Sequence, residues 1–260
     1  MRPISLTKNN FKVLVNPAHG GRIQQLYYKD VPLLYVPKKL SSTSWTNYGG
    51  DFLWLAPQQK WGGWPPVKEF DSLAWDFLAS EQKIEIKSAE WNGLVLGRTI
   101  YFQENDLIVE NSFFNQSATV AEWGLWNISQ LSLDDLSVIF TVPELKIFSY
   151  PEEITVGKLA TTGNLFIEKD KYMIIPQKSL DFKVGGIAKD NKLICNIGNL
   201  VLEKEIILTK KQQKTEFPHQ CNIEVYKNDN YLEAELVWPM VKLKPEETFI
   251  GIQKFSVRKG

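Results

Sequence analysis

The residues best suited to chemistry lie late in the chain, in Tyr231-Leu232-Glu233-Ala234-Glu235-Leu236-Val237-Trp238-Pro239. In a β-strand, alternate side chains share a face, which groups Tyr231, Glu233 and Glu235 apart from Leu232, Ala234 and Leu236. Same-face neighbours stand about 7 Å apart along a strand, near enough for one negative charge to hinder ionisation of the other and raise its pKa toward that of a useful base. The plain alternative is a solvated face bearing two acids. A proton donor is available a few residues upstream in Phe217-Pro218-His219-Gln220-Cys221-Asn222-Ile223-Glu224-Val225-Tyr226. His219 can serve as a proton donor, and Glu224 follows it in the next apolar-rich stretch; either residue can equally be structural.

A second constellation sits early. Asn47-Tyr48-Gly49-Gly50-Asp51 and Trp54-Leu55-Ala56-Pro57-Gln58-Gln59-Lys60-Trp61-Gly62-Gly63-Trp64-Pro65-Pro66 mix flat rings with amides, an acid and flexible glycines. A sugar suits such a mixture: the axial hydrogens of a pyranose lie against an indole, while its hydroxyls need amide and carboxylate partners once buried. Asn47, Asp51, Gln58, Trp61 and Trp64 are therefore candidate ligand contacts, although each tryptophan alone could simply cap the end of a core. His19 falls at an expected hairpin tip, and Arg22 and Arg98 on expected strands, where pairing with a surface acid is the ordinary role. Cys195 and Cys221 lack metal-ligand spacing and read as inert buried thiols.

Bulk properties and missing motifs narrow the field. The chain has 260 residues and a formal net charge of +0, so no global field draws it to nucleic acid or an anionic membrane. It contains no apolar run long enough to span a bilayer, and its first residues lack a secretory pattern, so a cytoplasmic location is expected. No glycine-rich phosphate cradle, metalloprotease helix or nucleophile elbow occurs, and only His19 and His219 are present, which leaves no multi-histidine metal centre. No cofactor and no metal are expected.

The elements that must position these residues are strands. Short stretches rich in Val, Ile, Phe, Tyr and Trp recur between polar breaks, as in antiparallel sheets. Phe11–Val15 and Arg22–Tyr28 flank the paired glycines of Pro17-Ala18-His19-Gly20-Gly21. Hairpin tips are expected at Gln103–Asp106, Glu168–Lys171, Lys189–Lys192 and Lys227–Asn230. Pro37 to Asp76 breaks the rhythm as one long excursion holding five of the nine tryptophans, too aromatic for a solvated linker. The best helix candidate is Leu131 to Phe140. No linker or internal repeat divides the chain, so residues 1–260 are expected to form a single all-β domain.

The Gly20-Gly21-Arg22-Ile23 turn, the Gly49-Gly50 loop running into Trp, Ala-Pro-Gln and Trp-Pro-Pro segments, Asn222-Ile223-Glu224-Val225-Tyr226, Leu232-Glu233-Ala234-Glu235 and Leu243-Lys244-Pro245-Glu246-Glu247 together resemble galactose mutarotase-like proteins over nearly the whole chain. They are most similar to the bacterial members of uncharacterised function. The resemblance implies a supersandwich of two large antiparallel sheets with a sugar-sized groove. It also implies that Glu233 is the base that takes the proton of an anomeric hydroxyl in an aldose 1-epimerase-like isomerisation. The mid-chain strand that normally carries the partner histidine here reads Glu122-Trp123-Gly124-Leu125-Trp126-Asn127-Ile128-Ser129, so His219 would stand in as acid, with Trp126, Glu224 and Glu235 as further sugar contacts. The expected partner is a sugar or oligosaccharide. Alternatives are a non-catalytic glycan-binding module and a protein-interaction scaffold built on the tryptophan-rich loop.

Overall fold

The computed structural model describes residues 2–40, 45–148, 155–177 and 180–260. Among these, strands form two antiparallel sheets, one of eleven and one of ten. The middle of the first sheet runs in space through Phe11–Asn16, Arg22–Tyr28, Asp51–Ala56, Ala121–Leu131, Leu232–Val237, Ile223–Lys227 and Phe182–Gly186, ending on Lys146–Phe148. The second is centred on Leu136–Thr141, Lys192–Ile197, Leu200–Ile207, Thr248–Lys259, Asp106–Asn115 and Leu94–Gln103. The chain is nearly all β, as the alternation of apolar and polar residues implies.

Burial shows how the sheets pack. Leu94–Gln103 and Leu136–Thr141 bury every second residue, because one face lies on the opposite sheet and the other meets solvent. Asp51–Ala56 and Leu232–Val237 are buried at every position. Their inner face meets the second sheet; on the outer face Trp54 packs against Trp45 and Trp61 of the aromatic excursion, while Glu235 meets Trp126 and Lys183. That outer face is where the chemical residues gather.

The excursion is not irregular throughout. It contributes the strand Asp51–Ala56, a turn of 3-10 helix at Gln58–Trp61 and a short helix at Lys68–Asp71. Both glycine pairs are needed where they stand. Gly20 and Gly50 have φ of 62° and 78°, and a Cβ would lie 2.3 Å from the Asp71 carbonyl oxygen at the first and 2.4 Å from the Ile23 carbonyl oxygen at the second.

Two sequence expectations are corrected. Leu131 to Phe140 is no helix: Leu131 ends one strand, Asp135 turns with φ 51°, and Leu136–Thr141 begins the crossing into the other sheet. Lys189–Lys192 is no hairpin tip, since Phe182–Gly186 belongs to the first sheet and Lys192–Ile197 to the second. The tips at Gln103–Asp106, Glu168–Lys171 and Lys227–Asn230 join paired strands.

Candidate functional site

Strand register assembles the site. Glu233 lies opposite Gln130 on one side and Tyr226 on the other; Glu235 lies opposite Ile128 and Glu224; Trp126 lies opposite Trp54 and Val237. Alternation then puts Trp54, Trp126, Gln130, Glu233, Glu235, Glu224 and Lys183 on the outer face of the eleven-stranded sheet. Gly185 faces Glu224 across the neighbouring strand pair, and a Cβ there would come within 3.0 Å of the Glu224 Cγ, so the glycine makes room for the acid.

These side chains form one network. Gln130 Nε2 donates to Glu233 Oε1 at 2.9 Å. Trp126 Nε1 donates to Glu235 Oε2 at 2.6 Å, and Lys183 Nζ meets the same oxygen at 2.8 Å. Lys183 Nζ also lies 2.7 Å from Glu224 Oε2, while His219 Nδ1 is 2.9 Å from Glu224 Oε1. Two buried carboxylates thus share one ammonium. Glu235 Oε1 and Gln130 Oε1 have no hydrogen-bond partner.

The charges separate the acids. Burial would raise Glu224, but Lys183 and the His219 contact outweigh it and hold the carboxyl at about 2. Burial pushes Glu235 up to about 8; Lys183 opposes this and the charges on Glu224 and Glu233 add to it. Glu235 therefore carries a proton near neutral pH. Glu233 is also raised, by burial first, with the Gln130 hydrogen bond acting against it. Burial opposes the charge on Lys183, yet Glu224 and Glu235 raise its pKa. Separated acid strengths in one cluster are the usual mark of acid–base machinery, although structural ion-pair networks separate them too.

His219 is held in an unusual backbone. It and Gln220 are consecutive non-glycine residues with φ of 56° and 60°, a conformation costing about 1–3 kcal/mol at each sparsely populated position. Lys146 Nζ donates to the His219 carbonyl oxygen at 2.7 Å, and the ring stands edge-on to Trp126 at 5.6 Å and to Phe148 at 6.1 Å.

From Trp126 an aromatic wall runs into the excursion. Trp126 lies 5.6 Å from Trp54 and 6.1 Å from Trp61; Trp54 lies 6.3 Å from Trp45, which lies 5.3 Å from Trp64. Polar edges lock the rings. Trp61 Nε1 donates to the Leu55 carbonyl oxygen at 2.8 Å and Trp45 Nε1 to Asp71 Oδ2 at 2.9 Å. Arg22 is buried, pairs with Asp71 Oδ1 at 2.7 Å, donates to the Gly49 carbonyl oxygen at 2.9 Å and stands 4.4 Å from the centre of Phe52. His19 stacks on Tyr48 at 4.1 Å.

Of the residues singled out from the sequence, Glu224, Glu233, Glu235, His219, Trp126 and Trp61 come together on this face. Trp64 lies at the far end of the wall, 51% exposed. Asn47 shapes the loop, its Oδ1 accepting from the Gly49 N–H at 2.9 Å, and Gln58 is half-buried at the start of the 3-10 turn. Asp51 is corrected. It sits one residue out of phase with Phe52 and Trp54 and points between the sheets. There it pairs with Arg98 and accepts from Ser129 Oγ at 2.6 Å and Asn127 Nδ2 at 3.0 Å. Arg98 pairs with this buried acid instead of a surface one. Lys183, Gln130, Trp54 and Lys146 were not singled out. Lys183 follows the strand rule, with apolar Phe182 and Val184 on either side of it, but alternation alone reads such a lysine as solvent-facing.

Among the described residues, no group of three or more His, Cys, Asp or Glu side chains is arranged to hold a metal ion, and no helix is long and apolar enough to cross a membrane. No protein-family model and no curated protein matches the chain. Solved structures do. A galactose mutarotase-like protein from Lactobacillus casei superposes with a TM-score of 0.69 at 10% identity, covering 98% of this chain and 100% of that one. An aldose 1-epimerase candidate from Escherichia coli K12 gives 0.66 at 12% identity, with 99% of each chain covered. The Synechocystis protein Slr1438 gives 0.70 at 11% identity over 99% and 96%. The chain has the galactose mutarotase-like fold.

Proposed function

We propose that the protein recognises a sugar on the outer face of the eleven-stranded sheet and exchanges protons at the anomeric carbon of an aldose. The observation that carries this reading is convergence. Separate stretches of chain bring three carboxyl groups, a histidine paired with one of them and an indole wall to one surface, the mixture of flat apolar area and a few polar groups that sugar sites require. Trp126 and Trp61 supply the stacking surface. Glu235, protonated and with Oε1 unpaired, is suited to donate to a hydroxyl, and Glu224 orients His219 through Nδ1.

The chemistry follows from those roles. Glu233 takes the proton of the anomeric hydroxyl while His219 delivers one from Nε2 to the ring oxygen. The C1–O5 bond breaks to give the open-chain aldehyde, rotation about C1–C2 exposes the other face, and the reverse transfers close the ring. Each transfer contributes about 100- to 10,000-fold, and burial, by raising the Glu233 pKa, makes its carboxylate a stronger base than a solvated one. Support is also given by the fold of mutarotase-like proteins. The test is optical rotation of freshly dissolved, anomerically pure aldoses. The reading expects decay faster than in buffer for at least one sugar; rates equal to buffer across glucose, galactose, mannose and xylose would remove the catalytic half.

One observation favours a second reading, binding without turnover. Where the resemblance leads one to expect a histidine, the strand from Glu122 to Ser129 carries none, and the Nε1–H of its Trp126 is already committed to Glu235. A Glu233→Gln protein that keeps its sugar affinity, from a parent that shows no rotation change, would select this reading.

A further inference from the structure

We infer that the outer face takes a neutral oligosaccharide, with one sugar unit at the acid cluster and a second unit at the far end of the aromatic wall, beside Trp45 and Trp64. The inference rests on the sugar-recognition reading above and adds the class of ligand.

The first observation is length. Phe148, His219, Trp126, Trp54, Trp45 and Trp64 follow one another with centroid separations of 6.1, 5.6, 5.6, 6.3 and 5.3 Å. One pyranose is about the size of a single indole, so the acid cluster and Trp126 suffice for one unit and leave the Trp45 end unused. The second is an unpartnered polar atom there. Trp54 is 5% exposed and its Nε1 has no hydrogen-bond partner, and the buried Nδ1 of His19, stacked on Tyr48, has none either. Native proteins rarely leave such atoms unsatisfied without a reason. The third is construction. Trp64 is 51% exposed, yet it stands edge-on to Trp45, whose own edge is fixed by Asp71. A platform fixed before the ligand arrives loses little entropy on binding. The fourth is charge. At this end Arg22 and Asp71 are both 1% exposed and compensate one another, so a ligand unit here meets flat apolar surface and neutral polar edges. That favours an uncharged sugar over a phosphorylated or acidic one.

Isothermal titration calorimetry tests this with the whole protein and four pairs of probes: glucose with maltotriose, glucose with cellotriose, mannose with β-1,4-mannotriose, and galactose with β-1,4-galactotriose. At least one trisaccharide is expected to bind ten-fold or more tightly than its own monosaccharide, and in Trp64→Ala that ratio is expected to fall to about one. Trisaccharides that bind no better than monosaccharides in the wild type overturn the second unit while leaving sugar recognition standing. So does a ratio that survives Trp64→Ala in a protein whose melting temperature is unchanged. Binding of neither class overturns the sugar-recognition reading itself.

Discussion

Two ionic clusters lie on opposite faces of the eleven-stranded sheet and differ in how completely they are paired. Between the sheets, Asp51 is met by Arg98, Lys204, Ser129, Asn127 and Gln253, and Arg98 Nε also donates to Asn111 Oδ1 at 3.0 Å. Burial would raise the Asp51 carboxyl, but Arg98 and Lys204 outweigh it and hold it below its ordinary value. On the outer face, Glu235 is as deeply buried yet shares one lysine with Glu224, keeps an unpaired oxygen and is pushed up to about 8. Burial alone does not distinguish scaffold from site. A buried charge compensated on all sides holds elements together, whereas acids that outnumber their cations are left able to gain or lose protons.

The largest effect expected from this contrast is structural. Arg98→Met leaves Asp51 facing only the more distant Lys204, 3.8 Å away, and should cost about 3–5 kcal/mol in urea unfolding, the usual penalty for breaking a buried pair. An intact midpoint would show the inner cluster to be dispensable. Next is Glu233→Gln, expected to lower anomer interconversion by about 100-fold or more while changing stability by no more than about 1 kcal/mol, since sites of this kind are not optimised for stability. A stability loss as large as that of Arg98→Met would class the outer cluster with the inner one.

Smaller effects appear with pH. Glu235 at about 8 in the folded protein lies above its ordinary 4.5, so the folded state keeps a proton that the unfolded chain releases. Its contribution to stability is complete below about pH 4.5 and is lost as pH rises toward 8. Glu224 at about 2 acts in the opposite sense, its contribution complete above about pH 4.5 and lost as pH falls toward 2. Glu235→Gln should therefore gain about 0.5–2 kcal/mol over wild type at pH 9 and less at pH 5, read from thermal melts at both pH values. A gain independent of pH would contradict the proton assigned to Glu235. Comparable in size is Trp126→Phe, which removes one hydrogen bond to an acid protonated at neutral pH and should cost about 1 kcal/mol.

Much of the outer face was legible in the sequence because strand alternation is a strong rule. Glu233 and Glu235 fall on one face and Leu232, Ala234 and Leu236 on the other, and the early aromatic excursion reaches, through Trp61, the Trp126 ring that hydrogen-bonds Glu235. The same rule would have separated Asp51 from Trp54. The glycines and prolines between Pro37 and Asp76 hide the six-residue strand Asp51–Ala56 that sets this alternation. Lys183 and Gln130 stayed hidden for another reason. Their partners come from strands distant in sequence, and nothing local shows that a lysine on an outer face will be packed against two aromatic rings and paired with two acids. The Leu131 to Phe140 stretch carried only a short helical period, which the tight turn at Asp135 and the pairing of Leu136–Thr141 with two strands overrode.

The most direct test of the outer face as a sugar site is the indole N–H spectrum of 15N-labelled protein titrated with an aldose, with peaks assigned by single Trp→Phe replacements. The account predicts that Trp126 and Trp61 shift while Trp75 and Trp238, buried in the core, stay still. Shifts confined to the core indoles, or a Trp126 signal unmoved by any of glucose, galactose, mannose and xylose at high millimolar concentration, would contradict it.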